Sequence, residues 1–328
     1  MTLKEYMREL ILMDKQYGQE EELYPLINML LRENDNVKHL SVRDVHGPAG
    51  AGMVKRLING YASCPDLVII DENCDLEFNN ELFKDNYFKY SGPKIRTTAW
   101  EEKQNNIYDS FKKEKKTSIK SMVETQLYYM YGCVEAKKAG DQLEIDTIQA
   151  ENMNIKKVKI SLNKETFVIN GEKSKDIYKH DGRISDFGQI VGELIWYGKV
   201  LCTNGLIWKY LEISKNDEEV VLIQDKLLSN CILKWGDWVK ILREGPELEF
   251  MCVEIGNLKD AYKELVKNAK GDKLDKLKKK FYLRYNETYG WEQEWDRLKY
   301  NLACINWQGE NTYNQFITEE DIAKNENP

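Results

Sequence analysis

The stretch 127–140, LYYMYGCVEAKKAG, constrains this chain more than any other. It is largely apolar, ends in Glu135-Ala136-Lys137, and reads as a buried strand. Strand side chains alternate between faces, so Glu135 and Lys137, at i and i+2, share one. An ionisable pair at the end of an apolar strand is costly unless a cation or a partner charge meets it. A second apolar run, Cys64-Pro65-Asp66-Leu67-Val68-Ile69-Ile70, carries an acid at its mouth. One Asp, one Glu and one Lys converging make the oxygen-rich set that Mg²⁺ uses.

At 328 residues the chain fits one large domain or two ordinary ones. Apolar residues make up 42%, enough for a core, and charged residues 31%. The net charge of −7 gives no bulk basic field, so nucleic-acid binding needs a local basic patch. The seven cysteines are dispersed without a CxxC and read as reduced thiols. The opening MTLKEYMRELILMDKQYG carries acids and no long apolar run, so no signal peptide is read and a cytoplasmic location is expected. No stretch approaches the ~20 apolar residues of a membrane span. The three histidines are too scattered for a zinc site or a triad, and neither GxxxxGK[ST] nor a strand-linked GxGxxG is present.

In chain order, residues 3–15 and 19–33 carry helical periodicity. Glu20, Glu21 and Glu22 open the second helix, where acids also suit the positive end of its dipole. Residues 38–45 and 65–71 read as strands, 47–52 as a loop and 71–75 as a turn. Residues 79–126 are polar, and Lys112-Lys113-Glu114-Lys115-Lys116 reads either as a solvated face or as a phosphate-contacting patch. Residues 157–170 alternate as a hairpin around Asn163-Lys164, and 184–197 form a helix. Residues 199–203 are a buried strand that turns at Asn204-Gly205 and returns over 206–211. Pro246 lies in a break, and from 257 to about 300 the spacing predicts two helices broken near Tyr289-Gly290. The order is that of an α/β chain with a central mixed sheet flanked by helices. A core domain over 1–250 and a helical C-terminal extension over 251–328 are expected.

Pro65-Asp66 before one strand and Glu135-x-Lys137 ending the next resemble the PD-(D/E)XK restriction-endonuclease-like superfamily. The fuller pattern narrows the resemblance to the nuclease domains at the N-terminus of type I restriction subunits and to Mrr-like nucleases. That pattern is Glu21-x-x-Tyr24, the two strands, a helix with Gln189, and Val200-Leu201-Cys202-Thr203-Asn204-Gly205-Leu206-Ile207-Trp208. It covers about residues 19–211. The resemblance implies a restriction-endonuclease-like sheet and Mg²⁺-dependent hydrolysis of DNA phosphodiesters, with Mn²⁺ as a substitute ion. It implies that Asp66, Glu135 and the Ala136 carbonyl hold the metal, and that Lys137 orients or deprotonates the attacking water and offsets charge. Glu21 would sit over the site, and Gln189 would approach the site or the nucleic acid. DNA is the implied partner, in a restriction or phage-defence system, with no membrane.

The chain departs from the family in three ways. Glu193 stands where the family often carries a Tyr four residues after the Gln. Residues 79–126 are an insertion between the two acidic strands. No motor or methyltransferase module follows within the given sequence, so a stand-alone protein, a homo-oligomer or one subunit of a system is expected. A plainer reading stays open: Asp66 starts a strand, and Glu135 and Lys137 neutralise each other. The protein is then a catalytically silent module for interaction or assembly. Trp291, Trp295 and Trp307 would serve it as a partner surface, or would pack the tail.

Overall fold

The computed structural model describes residues 1–15, 18–45, 65–71, 130–138, 141–143, 145, 155–163, 166–213, 247–267, 290–318 and 321. Among these, the strands are β1 (Leu40–Asp44), β2 (Leu67–Asp71), β3 (Met130–Ala136), β4 (Ile155–Asn163), β5 (Thr166–Ile169), β6 (Lys173–Asp176), β7 (Lys199–Thr203), β8 (Ile207–Glu212) and β9 (Leu248–Asn257). The α-helices are α1 (Leu3–Lys15), α2 (Tyr24–Arg32), α3 (Asp186–Tyr197), α4 (Lys259–Lys267) and α5 (Gly290–Cys304). The strands form one nine-stranded sheet in the order β1-β2-β3-β7-β8-β9-β4-β5-β6. β3 and β7 run parallel, and the other neighbours pair antiparallel. The chain is therefore α/β with a large mixed sheet flanked by helices, as the sequence predicts.

Both faces of the sheet are covered. On one, Ile190, Val191, Leu194 and Ile195 of α3 share a core with Val68, Cys133, Val200 and Leu211. On the other, Leu10 of α1, Ile27 of α2 and Trp295 and Leu298 of α5 share a core with Leu67, Val134, Leu201 and Trp208. Burial on two sides is why β2 reads as a near-continuous apolar run and why β7 and β8 are buried along their whole length instead of at alternate residues.

Local chemistry sets the ends of the elements. Thr2 and Glu5 exchange hydrogen bonds as a capping box at the start of α1: the Thr2 N–H donates to Glu5 Oε2 (2.8 Å) and the Glu5 N–H to Thr2 Oγ1 (3.3 Å). Ser185 caps α3 by accepting from the Gly188 N–H, and Gly198 ends it at φ +77°. At the Asn204-Gly205 turn, Asn204 Oδ1 accepts from the N–H groups of Leu206 (3.0 Å) and Ile207 (2.8 Å). Gly205 takes φ +77° there.

Several sequence expectations change. Residues 19–33 are not one helix: a 3₁₀ turn over Glu20–Leu23 precedes α2. β9 fills the stretch between Pro246 and the helices expected from 257, where no element is read from the sequence, and the boundary placed at 250 falls inside it. β9 lies between β8 and β4, and α5 packs on it, so 251–328 supplies part of the sheet core. Trp295 and Trp307 are buried there, in keeping with tail packing instead of an exposed partner surface. β6, Lys-Ser-Lys-Asp, carries no apolar signal because it is an exposed edge strand, where lysines discourage further pairing. The 47–52 loop, most of the 71–75 turn, the 79–126 insertion with its lysine run, and the break at 289 lie outside the described residues. Among the described residues no helix is long and apolar enough to cross a membrane.

Candidate metal centre at the mouths of two strands

β2 and β3 lie side by side with Leu67 opposite Val134. That register sets the start of β2 against the end of β3. The Asp66 N–H donates to the Val134 carbonyl (3.1 Å), which extends the ladder by one step. Asp66 Oδ2 accepts from the Ala136 N–H (2.6 Å) and Oδ1 from the Tyr24 hydroxyl (2.5 Å). The Asp66 carboxylate therefore lies against the backbone between Glu135 and Lys137.

Glu135 and Lys137 project together, as their spacing requires: Lys137 Nζ lies 2.5 Å from Glu135 Oε1. The Lys137 N–H donates to the Thr203 carbonyl (2.8 Å), so β7 fixes the backbone at this end. Glu135 Oε2 accepts from Gln189 Nε2 (2.8 Å). Gln189 sits in the first turn of α3, where the Ser185 cap anchors the helix. Asp66, Glu135, Ala136, Lys137 and Gln189 are thus gathered at one point on the sheet rim.

Glu21 is the acid that the resemblance places over the site, and its charge acts on Tyr24. It is exposed, whereas Glu20 Oε1 lies 3.9 Å from Lys137 Nζ. In a 3₁₀ turn residues i and i+3 eclipse. Leu23 is buried, so Glu20 shares its inward side while Glu21 and Glu22 turn outward. The resemblance points to Glu21, and the acid whose carboxylate lies near Lys137 is its neighbour Glu20.

Two side chains with no role assigned from the sequence belong here. Tyr24 holds Asp66, and Glu193 is a buried carboxylate whose Oε1 accepts from the same Gln189 nitrogen (3.0 Å). Glu193 was legible only as a departure from a family pattern. Its signal is that α3 is buried nearly all round, so a polar residue on it faces polar partners instead of water.

The electrostatics follow from burial among like charges. Asp66 and Glu135 are 3% and 2% exposed. Burial pushes the Glu135 carboxyl up to about 8, the Asp66 charge adds to that, and Lys137 opposes it. Glu193 is pushed well above the usual carboxylate range by burial and then by Glu135. Burial and the bond to Asp66 raise the Tyr24 phenol. For Lys137, burial pulls downward, but Glu135 and Glu20 outweigh it and hold the ammonium above its ordinary value.

Among the described residues, no three His, Cys, Asp or Glu side chains are set as a cation cage. Mg²⁺ does not require one, since it keeps waters and is bound through one or two carboxylates plus substrate oxygens. Asp66, Glu135 and the backbone at Ala136 fit that donor set. Burial first, and then the Asp66 charge, disfavours the ionised form of Glu135, and a divalent cation beside it would favour that form. Comparison with protein-family models, curated proteins and solved structures returned no match.

Proposed function

We propose that the chain is a Mg²⁺-dependent nuclease that hydrolyses DNA phosphodiesters in a restriction or phage-defence system, on a restriction-endonuclease-like core. The observation that carries this reading is the meeting of Asp66, Glu135 and Lys137 at one point on the sheet rim. The acid before one strand, the acid and lysine ending its neighbour, and the glutamine from the next helix support the fold assignment.

Phosphodiester hydrolysis brings water to a phosphorus that is already negatively charged. Mg²⁺ held by Asp66, Glu135 and the Ala136 carbonyl would supply Lewis acidity and acidify a water. Tyr24 orients Asp66, and Gln189 orients Glu135. Glu135 and Glu20 hold the Lys137 ammonium above its ordinary value, which favours its use as a cation that offsets charge growing on the phosphate oxygens.

One observation favours the silent-module reading. Each oxygen of Asp66 and Glu135 already meets a protein donor, so the site is satisfied without a metal. Plasmid incubated with Mg²⁺ or Mn²⁺, beside a Lys137→Ala variant, separates the two. The nuclease reading requires cutting by wild type and none by the variant. No cutting, or equal cutting by both, leaves the module, to be sized by light scattering and tested for DNA retention at low salt.

A further inference from the structure

A carboxylate has no packing reason to occupy position 193. α3 is apolar around it, with Ile190, Val191, Leu194 and Ile195 buried, and Glu193 itself is 1% exposed. Burying a carboxyl group costs free energy unless a hydrogen-bond partner meets it, so one at this position calls for a partner.

That partner is the Gln189 side chain, one turn earlier on α3. Gln189 Nε2 lies 2.8 Å from Glu135 Oε2 and 3.0 Å from Glu193 Oε1. A primary amide nitrogen carries two hydrogens, and here each has its own carboxyl oxygen to accept it. The oxygen end of the amide has nearly the same shape, and rotating it into this place would set lone pairs against two acceptors. The second oxygen of Glu193 faces the Cys133 thiol at 3.9 Å, which keeps the carboxyl group tied to β3.

We propose that Glu193 is a positioning residue: it takes one hydrogen of the Gln189 amide and thereby holds the other on Glu135. This rests on the metal-site reading above and extends it to a side chain that the expected motif does not contain. Without Glu193 the amide has one acceptor instead of two, both of its orientations become accessible, and Glu135 Oε2 is no longer held. Glu193 is not placed on metal or substrate; it acts through Gln189.

The test uses the full chain as wild type, Glu193→Leu and Glu193→Gln. Leu fills the volume without an acceptor, and Gln keeps one. Glu193→Met is the second variant without an acceptor should Leu fail to fold. Two readouts are taken: the ¹⁵N side-chain amide signal of Gln189, identified by its loss in Gln189→Leu, and Mn²⁺ affinity by calorimetry. Glu193→Leu should move the amide signal to that of a freely rotating glutamine and weaken Mn²⁺ binding ~10-fold or more, while Glu193→Gln stays within ~3-fold of wild type. An unchanged amide signal in Glu193→Leu, or a Gln variant as impaired as the Leu variant, overturns the proposal. Absence of Mn²⁺ binding by wild type counts against the metal reading alone, because the amide signal still decides whether Glu193 holds Gln189.

Discussion

The hydroxyl of Tyr24, at the start of α2, donates to Oδ1 of Asp66 at the mouth of β2, 2.5 Å away. A helix on one face of the sheet thereby orients an acid that meets the end of β3. Asp66 is buried, and its other oxygen is held by the Ala136 N–H. The position of the acid is set by the fold itself.

Tyr24→Phe removes one hydrogen-bond donor from this buried carboxylate. It should lower the stability of the metal-free protein by about 1–3 kcal/mol, the range for losing a hydrogen bond to a charged group. Urea unfolding with and without Mn²⁺ checks this, and the deficit should shrink when the ion supplies the missing compensation. Equal deficits in both conditions would separate Tyr24 from the metal site.

The raised Glu135 carboxyl makes stability depend on pH in a definite direction. Between its ordinary value of 4.5 and about 8, the folded chain keeps a proton that the unfolded chain releases. The folded state binds more protons in that window, so this group's contribution to stability falls as pH rises, by up to ~1.4 kcal/mol per pH unit. Glu135→Gln has no such proton to lose. Metal-free wild type should therefore lose more stability than Glu135→Gln between about pH 5 and about pH 8. Parallel unfolding curves for the two would contradict the burial argument.

Gly132 lies three residues before Glu135 on β3, and a Cβ there would sit 2.6 Å from the Trp307 ring. The C-terminal segment is laid directly on the strand that carries the site. Gly132→Ala should cost about 1–3 kcal/mol, the usual penalty for overpacking, and should quench or shift Trp307 fluorescence. A neutral substitution would mean that the tail sits clear of β3.

Lys199 anchors the same segment from β7. Its buried ammonium donates to the carbonyls of Asn306, Trp307 and Gly309 and lies 3.6 Å from Glu212 Oε1. Lys199→Met leaves that carboxylate buried without its cation and should destabilise the chain by about 3–5 kcal/mol. Denaturant midpoints of wild type and variant measure it, and a loss under ~1 kcal/mol, the worth of an exposed pair, would rule out a buried anchor.

The cluster of Asp66, Glu135 and Lys137 was legible in the sequence because strand alternation is rigid. Glu135 and Lys137 two apart on β3, and Asp66 at the start of an apolar run, leave little freedom in where they point. The Asn204-Gly205 turn and the stripe of α3 were legible for the same kind of local reason. Glu20 was not, since one step in phase between a 3₁₀ turn and an α-helix decides which of three consecutive glutamates turns inward. β9 was obscured because Leu248, Phe250 and Cys252 face one core while Val253 and Ile255 face the other, which breaks a clean alternation. β6 has no burial to leave a pattern. Glu193 hid because a polar residue on an apolar helix is ordinarily taken for its wet side, and α3 is wet only at its first turn, at Asp186 and Gln189.

The central claim is that Asp66 and Glu135 are two donors to one ion. Crystals soaked in Mn²⁺ and measured at the manganese edge test it most directly. One anomalous peak within ~2.2 Å of a carboxylate oxygen from each residue is the expected result. An ion bound elsewhere, or no peak with both carboxylates still engaged by Tyr24, Ala136, Lys137 and Gln189, would contradict it.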